Sequence, residues 1–310
     1  MMVTDSPMTA SISFSHIVNP FPAPEGSEHR IASQITFASL RKAVEQARRA
    51  GLNVEVRAVV LPGDEQAIEA PAVPAPRLQR TVQDIRKLCP VRPFPLIADI
   101  LTKGAEGASG DYLVFTNMDI AVQPHFYPSL RELIVKRFGQ GVPFVVYRRN
   151  ISANFNRVEH LPEMYEAKGS VGYGFDCFVF PACYVTGLEL GNACIGSGHF
   201  DNLLFMALDA VSGFRVARVN DVPLTFHIGN EIEWTQHIDY IEHNLRESLA
   251  AIARMRAKFD IPQDGPFANM ERNHFAPNAR FDSALFRKLK RIPGVGEAAH
   301  RFKKLLGRSH

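Results

Sequence analysis

The chain has 310 residues, 46% of them hydrophobic, enough to bury the core of one large α/β domain with additions or of two small ones. A charged fraction of 22% excludes a mainly disordered chain, and a formal net charge of +3 is too small for the clustered basic surface of a nucleic-acid binder. Four cysteines, Cys89, Cys177, Cys183 and Cys194, form no CxxC pair and read as reduced packing residues rather than a disulfide framework.

In chain order, Ile12–Val18 alternates as a strand and is stopped by the prolines of Asn19–Pro24. From about Ser27 to Ala50 the pattern turns helical, with Ile31, Ile35, Ala38, Leu40 and Val44 mostly on one face and Gly51 placed as the C′ residue. A second strand runs over Asn53–Leu61 and ends at Pro62-Gly63-Asp64. Glu69 to Arg77, rich in proline and alanine, reads as a surface loop. Short helices are expected at Thr81–Leu88 and from Pro95, followed by an apolar strand from Asp111 towards Asp119. Further strands are expected at Pro143–Tyr147, Phe175–Phe180, Phe214–Val219 and Val222–Ile228. Helices are expected over about 200–211 and, with strong amphipathic spacing, over Trp234–Phe259. The alternation of strands and helices predicts a mainly parallel sheet with helices on both faces, in a domain over 10–260, followed by a tail over 261–310.

Four constellations carry chemistry. The run Tyr112-Leu-Val-Phe-Thr-Asn-Met-Asp119 reads as a buried central strand that delivers Asn117 and Asp119 at its carboxyl end, where open α/β sheets bind ligands. Oxygen-bearing side chains at i and i+2 can face one hard cation, Mn²⁺ or Mg²⁺, held by few protein ligands together with diphosphate oxygens. The alternative is an Asx turn in which Asp119 satisfies backbone donors. Asp176 stands at the mouth of an aromatic strand behind the glycines of Gly172-Tyr-Gly174. Ile195-Gly-Ser-Gly198 opens a helix whose first turn carries His199, Asp201 and Asn202; Asp201 either caps that helix or is placed as a general base. His227, after a short apolar segment and two residues before Gly229, is either a structural histidine or a metal or phosphate ligand.

Taken in order, the strand–helix–strand ending in Asp64, the Thr-Asn-Met-Asp119 strand end, Gly-Phe-Asp176, His-Phe-Asp201-Asn and His227 resemble the GT-A family of nucleotide-diphospho-sugar glycosyltransferases, over roughly residues 10–235. That resemblance implies a GT-A-like, Rossmann-like fold. It also implies transfer of a sugar from a nucleotide-diphosphate donor to an acceptor hydroxyl, on a glycan or a lipid-linked molecule. It casts Asn117 and Asp119 as a DxD motif whose first acid is replaced by Asn, with Asp119 and His227 as metal ligands and Asp201 as the catalytic base. Ser13, His16 and Asp64 would border the nucleoside, while Asp176, His199 and Asn202 complete the substrate-binding set.

A nucleotidyltransferase of similar architecture ranks lower, because Val18–Pro24 is proline-rich and lacks the basic, glycine-rich loop that chemistry uses after the first strand. A non-catalytic nucleotide-sugar-binding module is kept open by Asn117. A metal-dependent phosphohydrolase would need a dense His and Asp cluster. No apolar run approaches the roughly 18 residues of a membrane span, and the N-terminus lacks the basic-then-apolar order of a signal peptide, so the expected location is cytoplasmic. From Phe281 onward eight Lys or Arg face two acids, interleaved with leucines and phenylalanines. This segment reads as a solvated tail, with peripheral contact at the inner face of an anionic membrane as the alternative.

Overall fold

A computed structural model describes residues 12–172, 174–229 and 237–276. β1 (Phe14–Val18) leads through a proline loop to α1 (Glu28–Arg49), β2 (Val54–Ala58), β3 (Ala72–Pro74), α2 (Val82–Ile85), α3 (Ile97–Ala105) and β4 (Tyr112–Thr116). Then come β5 (Ala121–Val122), α4 (Phe126–Glu132), β6 (Phe144–Val146), β7 (Arg148–Ile151), α5 (Leu161–Glu166), β8 (Ser170–Val171) and β9 (Cys177–Pro181). The chain closes with α6 (Phe200–Val211), β10 (Ala217–Val219), β11 (Thr225–Ile228), α7 (Ile238–Lys258) and α8 (Pro266–Met270).

Seven strands form the main sheet in the order β10-β6-β9-β4-β1-β2-β3. β1 is parallel to β2 and β4, β2 to β3, and β6 to β10, whereas β9 runs antiparallel between β4 and β6. The period of two divides each central strand between two cores. Leu113, Phe115, Phe178 and Phe180 face the side covered by α3, α6 and α7, while Tyr112, Val114, Cys177 and Val179 face the side covered by α1 and α4. All five residues of β1, β4 and β9 are buried, as expected for strands covered on both faces. Each fully buried phenylalanine among them contributes roughly 1.5–3 kcal/mol through removal of apolar surface from water.

Local signals set the helix ends. The Ser27 hydroxyl accepts from the Arg30 N–H at 3.2 Å to start α1, and Gly51, at φ +69°, takes the left-handed conformation that ends it. A capping box between Thr81 and Asp84 starts α2.

A smaller sheet, β5-β11-β7-β8, packs Ala121, Ile151 and Phe226 against Ile35 and Ala38 of α1. Its strands β7 and β11 are parallel, with His227 opposite Asn150.

Three expectations change. The proline-rich loop contains β3, an edge strand; Pro74 is tolerated there because an edge residue has no outer ladder partner to donate to. Residues assigned to the tail from residue 261 pack into the fold: Phe267, Met270 and Phe275 are buried in the main core and the Phe267 N–H donates to Asp209 at 3.0 Å. All four cysteines are free, but Cys89 and Cys183 are exposed rather than packed. Among the described residues no helix is long and apolar enough to cross a membrane. The basic segment after Phe281 and the start of the helix expected at Trp234 lie outside the described residues.

Candidate active site

The two sheets bring the acids and bases of interest together at the carboxyl end of β4. β4 ends at Thr116, and the next turn presents Asn117 and Asp119; Ile120 closes it by donating to the Asn117 carbonyl at 3.2 Å. β11 brings in His227, whose Nε2 lies 3.4 Å from Asp119 Oδ2. Asp119 is 38% exposed and His227 16% exposed. The other carboxylate oxygen, Asp119 Oδ1, is enclosed and has no hydrogen-bond partner. Burial pushes the Asp119 carboxyl up, but the hydrogen bond and charge of His227, with the charge of Arg148, outweigh it and hold it below its ordinary value.

Asp176 immediately precedes β9. Its Oδ1 accepts from the Asn117 side-chain amide at 2.8 Å, and its backbone carbonyl accepts from the Asn117 N–H at 3.3 Å. Its Oδ2 is ion-paired with Arg148, which is only 5% exposed. Arg148 stands at the start of β7 and also donates from Nε to the Asn150 side-chain oxygen at 3.1 Å. Gly172 lies close over this pair: a Cβ there would come 2.9 Å from Asn150 Oδ1 and 3.0 Å from the Arg148 side chain, so a larger residue would push both aside.

Asp201 occupies the first turn of α6, with the backbone N–H groups of Asn202 and Phe175 beside its carboxylate. Burial pushes its carboxyl above the ordinary value; those two N–H groups and the charge of His274 oppose the shift without reversing it. A side chain at Gly174 would begin 3.8 Å from both Asp176 Oδ2 and Asp201 Oδ2, so the two carboxylates border one small space. His199, the residue before α6, holds a left-handed φ of 77° and its ring lies 5.5 Å from that of Phe275. Asn202 contributes its backbone N–H to Asp201, as above. Asp64 stands half-buried just beyond the carboxyl end of β2, at the edge where the sequence placed it.

Two residues read as nucleoside neighbours are placed elsewhere. Ser13 precedes β1, at the amino end of the parallel strands, where its hydroxyl donates to Asp111 Oδ2 at 2.6 Å. His16 is fully buried inside the sheet–helix core, its ring nitrogens 2.9 Å from the Tyr127 hydroxyl and 2.8 Å from Thr116 Oγ1. Both side chains are satisfied internally and neither faces the cleft. Conversely, the sequence reading missed Arg148. The segment Arg148-Arg-Asn-Ile151 shows no apolar alternation, and its strand exists only because β11 and β8 pair with it.

Asp119 and His227 suit a small divalent cation: one nitrogen and one carboxylate converge, and an enclosed carboxylate oxygen lacks a partner. Among the described residues no group of three or more His, Cys, Asp or Glu side chains could hold a metal. Such an ion would therefore take its remaining ligands from substrate or water.

No protein-family model matches this sequence, and no curated protein matches it. Solved structures do. Residues 1–349 of S. aureus TarS, in complex with UDP, superpose with a TM-score of 0.51 at 12% identity, covering 85% of this chain and 72% of that one. M. tuberculosis glucosyl-3-phosphoglycerate synthase superposes with a TM-score of 0.41 at 16% identity, covering 82% of each chain. A mixed, mainly parallel sheet with helices on both faces, closed by a small second sheet at the carboxyl end of β4, is the fold of the GT-A-type nucleotide-sugar glycosyltransferases, and this chain has that fold.

Proposed function

We propose that the protein is a glycosyltransferase that moves a sugar from a nucleotide-diphosphate donor to an acceptor hydroxyl with the help of Mn²⁺ or Mg²⁺. The observation that carries this reading is the convergence of Asp119, His227, Asp176 and Asp201 on one strand end of a GT-A fold. The resemblance to TarS, whose structure contains UDP, supports the choice of a nucleoside diphosphate as the leaving group.

In this mechanism Asp119 and His227 would hold the cation, which when bound would offset the charge that develops on the departing diphosphate. Asp201, with its carboxyl raised by burial and oriented by two backbone N–H groups, takes the proton of the acceptor hydroxyl. The acceptor oxygen forms its bond to the anomeric carbon as the bond to the phosphate oxygen breaks, and the electron pair leaves with the nucleoside diphosphate. A single displacement of this kind inverts the anomeric centre. Asp176, fixed from two sides by Asn117 and Arg148, offers a rigid acceptor to sugar hydroxyls. Asp64 borders the nucleoside.

Thermal unfolding with UDP, GDP and CMP, each with and without Mn²⁺, tests the reading. A nucleoside diphosphate that stabilises the fold only with Mn²⁺ supports it; no response to any nucleotide contradicts it.

A further inference from the structure

Three carboxylates, Asp119, Asp176 and Asp201, gather at this strand end around one buried guanidinium. Arg148 is 5% exposed and ion-paired with Asp176, and on β7 it stands two residues before Asn150, the residue opposite His227 on β11, so its guanidinium lies in the field of Asp119 and Asp201. Asn117 belongs to the same arrangement. Its amide donates to Asp176 at 2.8 Å, a role the acid of a DxD pair cannot fill. The site has thus replaced one negative charge with a neutral donor and set a fixed positive charge beside another.

We propose that Arg148 acts as a built-in counter-charge that keeps the Asp119–His227 site weak for a bare divalent cation, so that the cation binds tightly only together with a nucleoside diphosphate. A fixed +1 charge on the strand beside His227 opposes the binding of a +2 ion, and the partly buried setting screens that repulsion poorly. The diphosphate brings negative charge and oxygen ligands, which reverse the balance. By linkage, the cation then strengthens nucleotide binding by the same factor with which the nucleotide strengthens cation binding. The inference rests on the proposed metal site, and its test needs no sugar transfer.

The test is Mn²⁺ binding to the full chain, followed by electron paramagnetic resonance or titration calorimetry, with and without UDP. Wild type, Arg148→Gln, Arg148→Lys and Asp176→Asn are compared, each first shown to unfold cooperatively. The expected result is tighter binding of bare Mn²⁺ by R148Q, by about tenfold or more. R148K, which keeps the charge, stays near wild type. D176N, which removes the carboxylate paired with Arg148, binds bare Mn²⁺ more weakly. The gain in Mn²⁺ affinity on adding UDP shrinks in R148Q. If R148Q binds bare Mn²⁺ no better than wild type, or if neither binds it at millimolar concentration, the proposal is overturned. Loss of fold in R148Q leaves the sign of the D176N effect to decide: unchanged or tighter Mn²⁺ binding there overturns it equally. If the Mn²⁺ pattern holds while no donor is turned over, the counter-charge stands and the transferase reading falls.

Discussion

The Asn117 side-chain amide donates to the Asp176 carboxylate across 2.8 Å, which ties the turn after β4 to the start of β9. The bond accounts for the amide at a position where the GT-A resemblance leads one to expect an acid. A carboxylate at 117 would face the Asp176 carboxylate directly. Asn117→Asp therefore costs stability rather than restoring a stronger site, by about 1–3 kcal/mol at neutral pH. Urea unfolding of the variant at pH 7 and pH 4 checks this. The loss should shrink at the lower pH, where one of the two carboxyls takes up a proton.

As the base of the proposed transfer, Asp201 would set the acid limb of activity. Its carboxyl is raised by burial, so it must lose its proton at a pH above the usual carboxylate value of about 3.9 before it can act as a base. Turnover should fall as pH falls through that raised value, and Asp201→Asn should lower kcat by roughly 10²–10⁴-fold with little change in donor KM. A pH–rate profile together with steady-state kinetics of the variant measures both.

His16 makes stability depend on pH. Burial lowers its pKa from the ordinary 6.5 to about 3. Between those values the unfolded chain binds a proton that the folded chain does not, so the stabilisation is complete above about 6.5 and is lost as pH falls towards 3. The loss over that window reaches roughly 5 kcal/mol. His16→Gln, which does not titrate there, should flatten the unfolding free energy plotted against pH.

Asp209 is fully buried and holds two distant segments, accepting from the N–H groups of Val216 and Phe267, each at 3.0 Å. Asp209→Ala leaves both donors unsatisfied and should cost about 2–5 kcal/mol. Because it lies away from the cleft, donor KM of the folded fraction should not change. Denaturation and kinetics on the same preparation separate the two effects.

The parts of the fold that were legible in the sequence are those where apolar periodicity dominates. α6 runs from Phe200 to Val211, as its pattern suggests, and β4 ends where Asn117 and Asp119 were expected to emerge. Legibility failed where pairing rather than pattern makes the structure. β7 is polar, so both the strand and Arg148 were invisible, although an arginine pair followed by Asn150 and Ile151 at a sheet crossover was the available clue. His16 misled for the opposite reason. Every residue of β1 is buried, so a polar side chain there carries no information about which face meets solvent. The distance from His227 to Asp119 depends on β11 pairing with β5, a contact between segments about a hundred residues apart that no local signal encodes.

The central claim is that Asp119 anchors a cation used in sugar transfer. Release of nucleoside diphosphate from a panel of UDP- and GDP-sugars, measured with and without Mn²⁺ for the wild type and for Asp119→Ala, tests it most directly. The account predicts Mn²⁺-dependent release from at least one donor, reduced by about 10²-fold or more in the variant. Release from no donor by the wild type, or equal release by both proteins, would contradict it.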